Sequence, residues 1–212
     1  MKIGIIGGVS PYACSKFYNN LCHEYRKKTG CYPELLIYSI FVSKTQESEF
    51  INNNLSINTI DKIVVEINKA CLLFKENNIE TVTICCNTLS NIFEEVAKKY
   101  DFKNIITPAN SIKQYVNFQK CLVLSTEYTN YNIYTNFIKL NKDDQLKLKK
   151  FIEDKINDDF SNIDLNKIIE SYDYDCIILG CTDINKNDLK TNKLIIDSND
   201  CLLQEVVRII GV

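Results

Sequence analysis

Two short stretches carry the residues best suited to chemistry. One is TVTICCNTLS, residues 81–90, and the other is CIILGCTDIN, residues 176–185. In each, an apolar run stops at a cysteine, Cys86 or Cys181, and polar residues follow at once. Asn87, Thr88 and Ser90 follow the first; Thr182 and Asp183 follow the second. A buried strand needs none of these groups, whereas a site at the end of a strand can use all of them. A cysteine hydrolase would need a base, usually histidine. The only histidine, His23, lies in the charged segment CHEYRKK and reads as a solvated helix residue. A redox dithiol would pair Cys85 with Cys86, but adjacent cysteines close a strained ring, and strand alternation sends them to opposite faces. Cys85 is therefore expected in the core and Cys86 at the site. The chemistry that remains is acid–base work by two thiols on two sides of a cleft, one removing a proton and the other returning one.

The elements that must carry these cysteines are legible as short apolar runs alternating with helical patterns. Strands are predicted at 2–6, 34–40, 80–85, 104–107, 120–124, 175–179 and 193–196. Helices are predicted at 11–28, 58–77, 89–100, 127–138, 143–157, 162–172 and 200–210. This is an α/β pattern with mostly parallel sheets, in which sites lie beyond the carboxyl ends of the strands. Gly7-Gly8-Val9-Ser10-Pro11 reads as a strand-to-helix turn, with Ser10 as N-cap and Pro11 in the first turn. It is not a dinucleotide fingerprint. The two cysteine stretches echo each other about one small lobe apart. That predicts two similar lobes facing across a cleft, residues 1–108 and 109–199, with the final helix, 200–212, packing back on the first. Each sulfur is expected at a helix N-terminus, where unpaired N–H groups lower a thiol's pKa.

Composition sets the limits. The chain has 212 residues, 45% hydrophobic and 25% charged, with net charge −2, so nothing global points to nucleic acid or an anionic membrane. The opening apolar run breaks at Gly7-Gly8 and reads as a first strand, which favours a cytoplasmic protein. The ten cysteines lack the spacing of a disulfide scaffold. There is no Cys-x-x-Cys, so no metal site is expected either. Most of the cysteines read as small apolar fillers.

With these residues in view, the chain resembles the aspartate/glutamate racemase superfamily, and within it the aspartate racemase branch. IGIIGGVSPYA is similar to that branch's opening, and CNTLS carries its first Cys-Asn-Thr motif. LVLSTEYTNYNIY is similar to the threonine-rich stretch of its second lobe. IILGCTDI resembles Gly-Cys-Thr-Glu, and KLIIDSNDCLLQEVV resembles the closing segment. The resemblance runs from end to end. It implies two pseudo-symmetric α/β lobes, a mechanism without cofactor or metal, and Cys86 and Cys181 as the catalytic pair. It implies that Asn87, Thr88 and Thr182 bind the amino acid, with Ser10 in the first substrate loop and Thr126 in the second-lobe motif. Lys44 and Thr45, in VSKTQ where the branch carries Asp-Arg-Thr, would hold the side-chain carboxylate, and Lys155 would face a substrate carboxylate. The chain departs from the pattern at Ser90, where the branch often has histidine, and at Asp183, one methylene shorter than glutamate. It departs again at Lys44, which cannot make the bidentate contact of arginine, and in the second threonine motif, which lacks its glycine. These changes bear on substrate more than on reaction type. Aspartate is the favoured substrate. Glutamate or broad amino-acid racemisation, a maleate- or hydantoin-type activity and a catalytically silent amino-acid binder are the alternatives. The expected partner is a small amino acid, with no nucleic acid or membrane and with a homodimer allowed.

Overall fold

Lys2–Gly7 is apolar at every position after the first, so it forms a strand buried on both faces, with Ile3 and Ile5 on one side and Ile6 on the other. In the computed structural model, which describes residues 2–52, 54–113, 120–126, 137–157 and 159–211, this strand, β1, is a central strand of the first sheet. It pairs with β2 (Glu34–Ser39) and β3 (Thr81–Ile84), and β3 pairs with β4 (Asn104–Ile106), giving the order β2-β1-β3-β4. The second sheet repeats this as β6-β5-β7-β8, from β5 (Cys121–Leu124), β6 (Phe137–Ile138), β7 (Cys176–Leu179) and β8 (Leu194–Asp197). Every pairing in both sheets is parallel. The two-lobe α/β architecture expected from the sequence is therefore present.

Helices cover both faces of each sheet. On the first sheet, α3 (Ile57–Glu76) and α4 (Ser90–Ala97) bury one side around Ile63, Ile67, Phe74 and Phe93. The stripe Ile63, Ile67, Ala70, Cys71 and Phe74 has helical spacing, and Ser56 caps α3 by accepting from the Thr59 N–H at 3.2 Å. The other side is closed by α1 (Pro11–Thr29) through Phe17 and Leu21, and by α8 (Ser198–Ile209) through Leu202, Val206 and Val207. Thus α8 follows a strand of the second sheet and packs on α1, β4 and α5 (Pro108–Ile112). The second sheet is covered by α6 (Lys142–Ile156) and α7 (Leu165–Ile169) around Leu148, Ile152 and Ile168. Cys121, Cys176 and Cys201 pack with Ile112, Val123, Ile178 and Ile196 on its opposite side.

Several elements differ from the sequence reading. A helix absent from that reading, α2 (Lys44–Ile51), occupies the connection after β2. The predicted helix 127–138 falls largely on 127–136, outside the described residues, and its last two positions form the edge strand β6. The predicted helix 162–172 is only Leu165–Ile169. No α-helix follows Cys181: the chain turns and makes one 3-10 turn at Lys186–Asp188. No helix of the described residues is long and apolar enough to cross a membrane.

Candidate active site

In both sheets the chain reverses its direction of winding between the two central strands, β1 and β3 in one, β5 and β7 in the other. The carboxyl ends of such strand pairs are where α/β folds leave a crevice. Cys86 leaves the end of β3 and Cys181 the end of β7, so the two sulfurs come from corresponding positions of the two lobes. Both line one cavity of about 30 Å³, together with Val9, Ser10, Asn87, Thr88, Thr126, Thr182 and Asp183. Such a space holds one or two waters, not an amino acid. It is walled on one side by α2 and α6, which pack together and contribute Phe50, Ile51, Ile152 and Ile156. A second cavity of about 470 Å³ shares Ser10, Ile156 and Asp183 with the first and forms its mouth.

Local geometry explains how each group arrives there. Gly8 has φ +104°, and a Cβ on it would lie 2.4 Å from the Ile40 carbonyl, so only glycine lets β1 turn toward the cleft. Two residues later Ser10 caps α1, accepting from the Ala13 N–H at 3.1 Å while its hydroxyl donates to Asp183 of the other lobe. The Asn87 amide donates to the Gly180 carbonyl at 2.7 Å, again across the lobes, and its Oδ1 is buried without a partner among the described residues. Thr88 and Thr126 hydroxyls meet at 3.2 Å. At Gly180 a Cβ would come within 2.9 Å of that of Ser125, so the glycine lets the ends of β5 and β7 approach and sets Thr126 beside Cys181. The Asn199 amide reaches the Thr182 carbonyl at 3.4 Å from the first turn of α8. Cys85 faces the opposite side of β3 from Cys86, among Ile3, Ile5, Cys14 and Phe17.

The electrostatics correct one expectation. The Cys86 thiol is pushed up to about 11, first by burial and then by the Asp183 carboxylate. The Thr88 and Leu89 N–H groups pull it down, as the helix end before α4 should, but burial outweighs them. Cys181 is also raised well above its ordinary value by burial and Asp183, and it has no helix N-terminus to oppose that. Asp183 is itself raised by burial, while the Ser10 hydroxyl, the Cys181 thiol and the more distant Lys155 favour its ionised form. The Cys181 Sγ donates to the second Asp183 oxygen at 3.8 Å. Asp183, which stands where the related family carries glutamate, is in this way hydrogen-bonded to both lobes of the site.

Not every residue implied by the resemblance reaches the cysteines. Cys86, Cys181, Ser10, Asn87, Thr88, Thr126 and Thr182 share their cavity. Lys44 and Thr45 line a different one, with Ser48, Glu49, Asn52 and Asn54. Lys155 stands at the mouth and is clamped by both Asp188 oxygens at 2.6 Å. The rest of the second-lobe threonine motif, 127–134, lies outside the described residues. The sequence reading missed Glu47, Phe50 and Ile51 because it missed α2. The signal was Ser43 followed three residues later by Gln46, a reciprocal capping box, which the structure forms.

No protein-family profile and no curated protein matches the chain. Solved structures do. A Yersinia pestis protein described as a candidate Asp/Glu racemase superposes with TM-score 0.78 at 14% identity, covering 98% of both chains. An aspartate racemase homologue of Pyrococcus horikoshii gives TM-score 0.74 at 20% identity, covering 100% of this chain and 99% of the other. A glutamate racemase of Francisella tularensis, solved with D-glutamate, gives 0.65 at 16% identity over 99% of this chain and 80% of the other. The parallel sheets ordered alike, the facing strand ends and these superpositions agree on one architecture: the chain has the two-lobe fold of the Asp/Glu racemases.

Proposed function

We propose that this protein is an amino-acid racemase that needs no cofactor, with Cys86 and Cys181 as its acid–base pair. The observation that carries this reading is the delivery of two thiols, from corresponding strand ends of two lobes, to one cavity. A thiolate on one side removes the α-proton of a bound amino acid, the carbon takes up the electron pair, and the thiol opposite donates its proton to the other face. The first cysteine ends protonated and the second ionised, so the enzyme is left ready for the opposite enantiomer, and the two must exchange their proton before another turnover in the same direction. Burial that raises a thiol's pKa also makes its thiolate a stronger base toward a weakly acidic C–H. The ammonium of an entering substrate favours formation of that thiolate. The Asn87 Oδ1 can accept from this ammonium, and the N–H groups of Thr88 and Leu89 face the charge at Cys86.

Aspartate is the substrate the resemblance implies, and Lys155 at the mouth supports an acidic ligand. Against it, no lysine, arginine or histidine lines the cysteine cavity among the described residues. Residues 53, 114–119, 127–136 and 158, outside that set, contain no basic side chain. The wall thus favours an amino acid other than aspartate.

The test is deuterium uptake at the α-carbon across the common amino acids in D2O. Cys86→Ser and Cys181→Ser should each lower racemisation of both enantiomers by at least 10³-fold, since a hydroxyl is a far weaker acid and base than a thiol. Cys14→Ser, Cys85→Ser and Cys121→Ser should leave exchange intact and at most cost stability. A folded Cys86→Ser or Cys181→Ser protein that racemises near the wild-type rate would disprove the reading.

A further inference from the structure

Among the described residues, the wall of the cysteine cavity carries carboxylates and no cation. Glu47, on α2, lines it beside Phe50 and Ile51, and Asp183 lines it from the other lobe. The mouth adds Asp159, and its one cation among the described residues, Lys155, is paired with Asp188. Burial and the charge of Asp183 raise the Glu47 carboxyl, and Lys44 only partly offsets them. Lys44 is exposed and lines the separate cavity on the outer side of α2. The Asn87 Oδ1, on a side chain only 4% exposed, is a further acceptor in the cavity wall with no partner among the described residues. Partly and fully buried acceptors with no cation beside them favour a ligand that brings donors.

From this arrangement we infer that Glu47 selects a substrate whose side chain bears a positive charge, an aliphatic amine of the lysine or ornithine class. The inference rests on the racemase reading and concerns only what lies beyond the reacting carbon. The α-ammonium alone supplies one cation, which the Asn87 Oδ1 and Asp183 can share. A second cation on the side chain gives Glu47 its partner. A side-chain carboxylate would instead stand against Glu47 with no cation in the cavity wall to hold it. The mouth, about 470 Å³ and bounded like the inner cavity by Ser10, Ile156 and Asp183, leaves room for a chain of several methylenes.

The experiment measures kcat/KM by α-deuterium exchange for L-lysine, L-ornithine, L-alanine and L-aspartate with the whole protein. Wild type should prefer lysine or ornithine to aspartate by at least 100-fold. Glu47→Gln should lower the ratio of lysine to alanine at least tenfold, and Glu47→Lys should lower it further while raising aspartate relative to alanine. Lys44→Ala should leave the ratio within threefold. Glu47 is only partly buried, so these variants should fold, as circular dichroism would verify. Wild-type preference for aspartate, or a ratio unmoved in Glu47→Gln, overturns charge selection and leaves the racemase reading standing. Absence of exchange with every amino acid overturns both.

Discussion

Cys86 and Cys181 have corresponding positions and unequal surroundings. Cys86 receives the Thr88 and Leu89 N–H groups and the Thr88 hydroxyl, whereas Cys181 has the Asp183 N–H and, directly against it, the Asp183 carboxylate. The negative charge of Asp183 raises both thiols, so it opposes the thiolate that must form. Asp183→Asn removes that charge. The limb of the kcat/KM–pH profile that reports thiolate formation should then move to lower pH, by about one unit or more. A profile carried from pH 7 to 11.5, past the Cys86 value of about 11, decides this, and an unmoved limb would place Asp183 outside the electrostatics of the pair. Asp183→Asn keeps an acceptor for Ser10, so the shift can be separated from a loosened interface.

At the scale of elements, the strands and long helices were legible because their burial is continuous or periodic: β3, β7 and α3 lie within a residue of where apolar patterning puts them. The two catalytic candidates were legible for the same reason, as cysteines at the ends of such strands. What was not legible depends on contacts between distant segments. Glu47 reaches the cavity because α2 crosses to α6 of the other lobe, and nothing in SKTQESEF announces that crossing. Lys44 matches a motif position, yet it begins a helix whose inward face belongs to Gln46, Phe50 and Ile51. A helix was expected after Cys181, and a turn is there instead, which turns Asp183 back onto the thiol. The short α2 depends on its cap. The Ser43 hydroxyl accepts from the Gln46 N–H at 3.3 Å, and the Gln46 side chain accepts from the Ser43 N–H at 2.9 Å. Ser43→Ala should cost α2 about 1 kcal/mol. Hydrogen exchange at residues 44–51 should speed up roughly fivefold while protection in β1 and β3 stays put. Equal acceleration everywhere would mean that α2 is not a separate unit of stability.

Across the whole molecule, the lobes are fastened at several points besides the seal. Lys16 of α1 reaches Asn185 at 3.0 Å and Asp197 at 3.7 Å, and Lys149 of α6 donates to Asn52 just beyond α2. Helix α8 puts Leu202, Val206 and Val207 into the first lobe's core and Cys201 into the second's, so it ties the two lobes together. The seal of Phe50, Ile51, Ile152 and Ile156 is therefore the part that must yield when an amino acid enters. That gives the seal a kinetic signature. If its parting is slower than removal of the α-proton, replacing that proton by deuterium in the substrate will barely change kcat/KM, because nearly every molecule admitted goes on to react. Phe50→Ala, which removes the largest side chain of the seal, should make admission fast and reversible, and the primary isotope effect should then rise well above unity. Paired measurements on protiated and α-deuterated substrate separate the two regimes. A full isotope effect already present in the wild type would mean that the lobes part freely, and that the α-proton, not the seal, sets the pace.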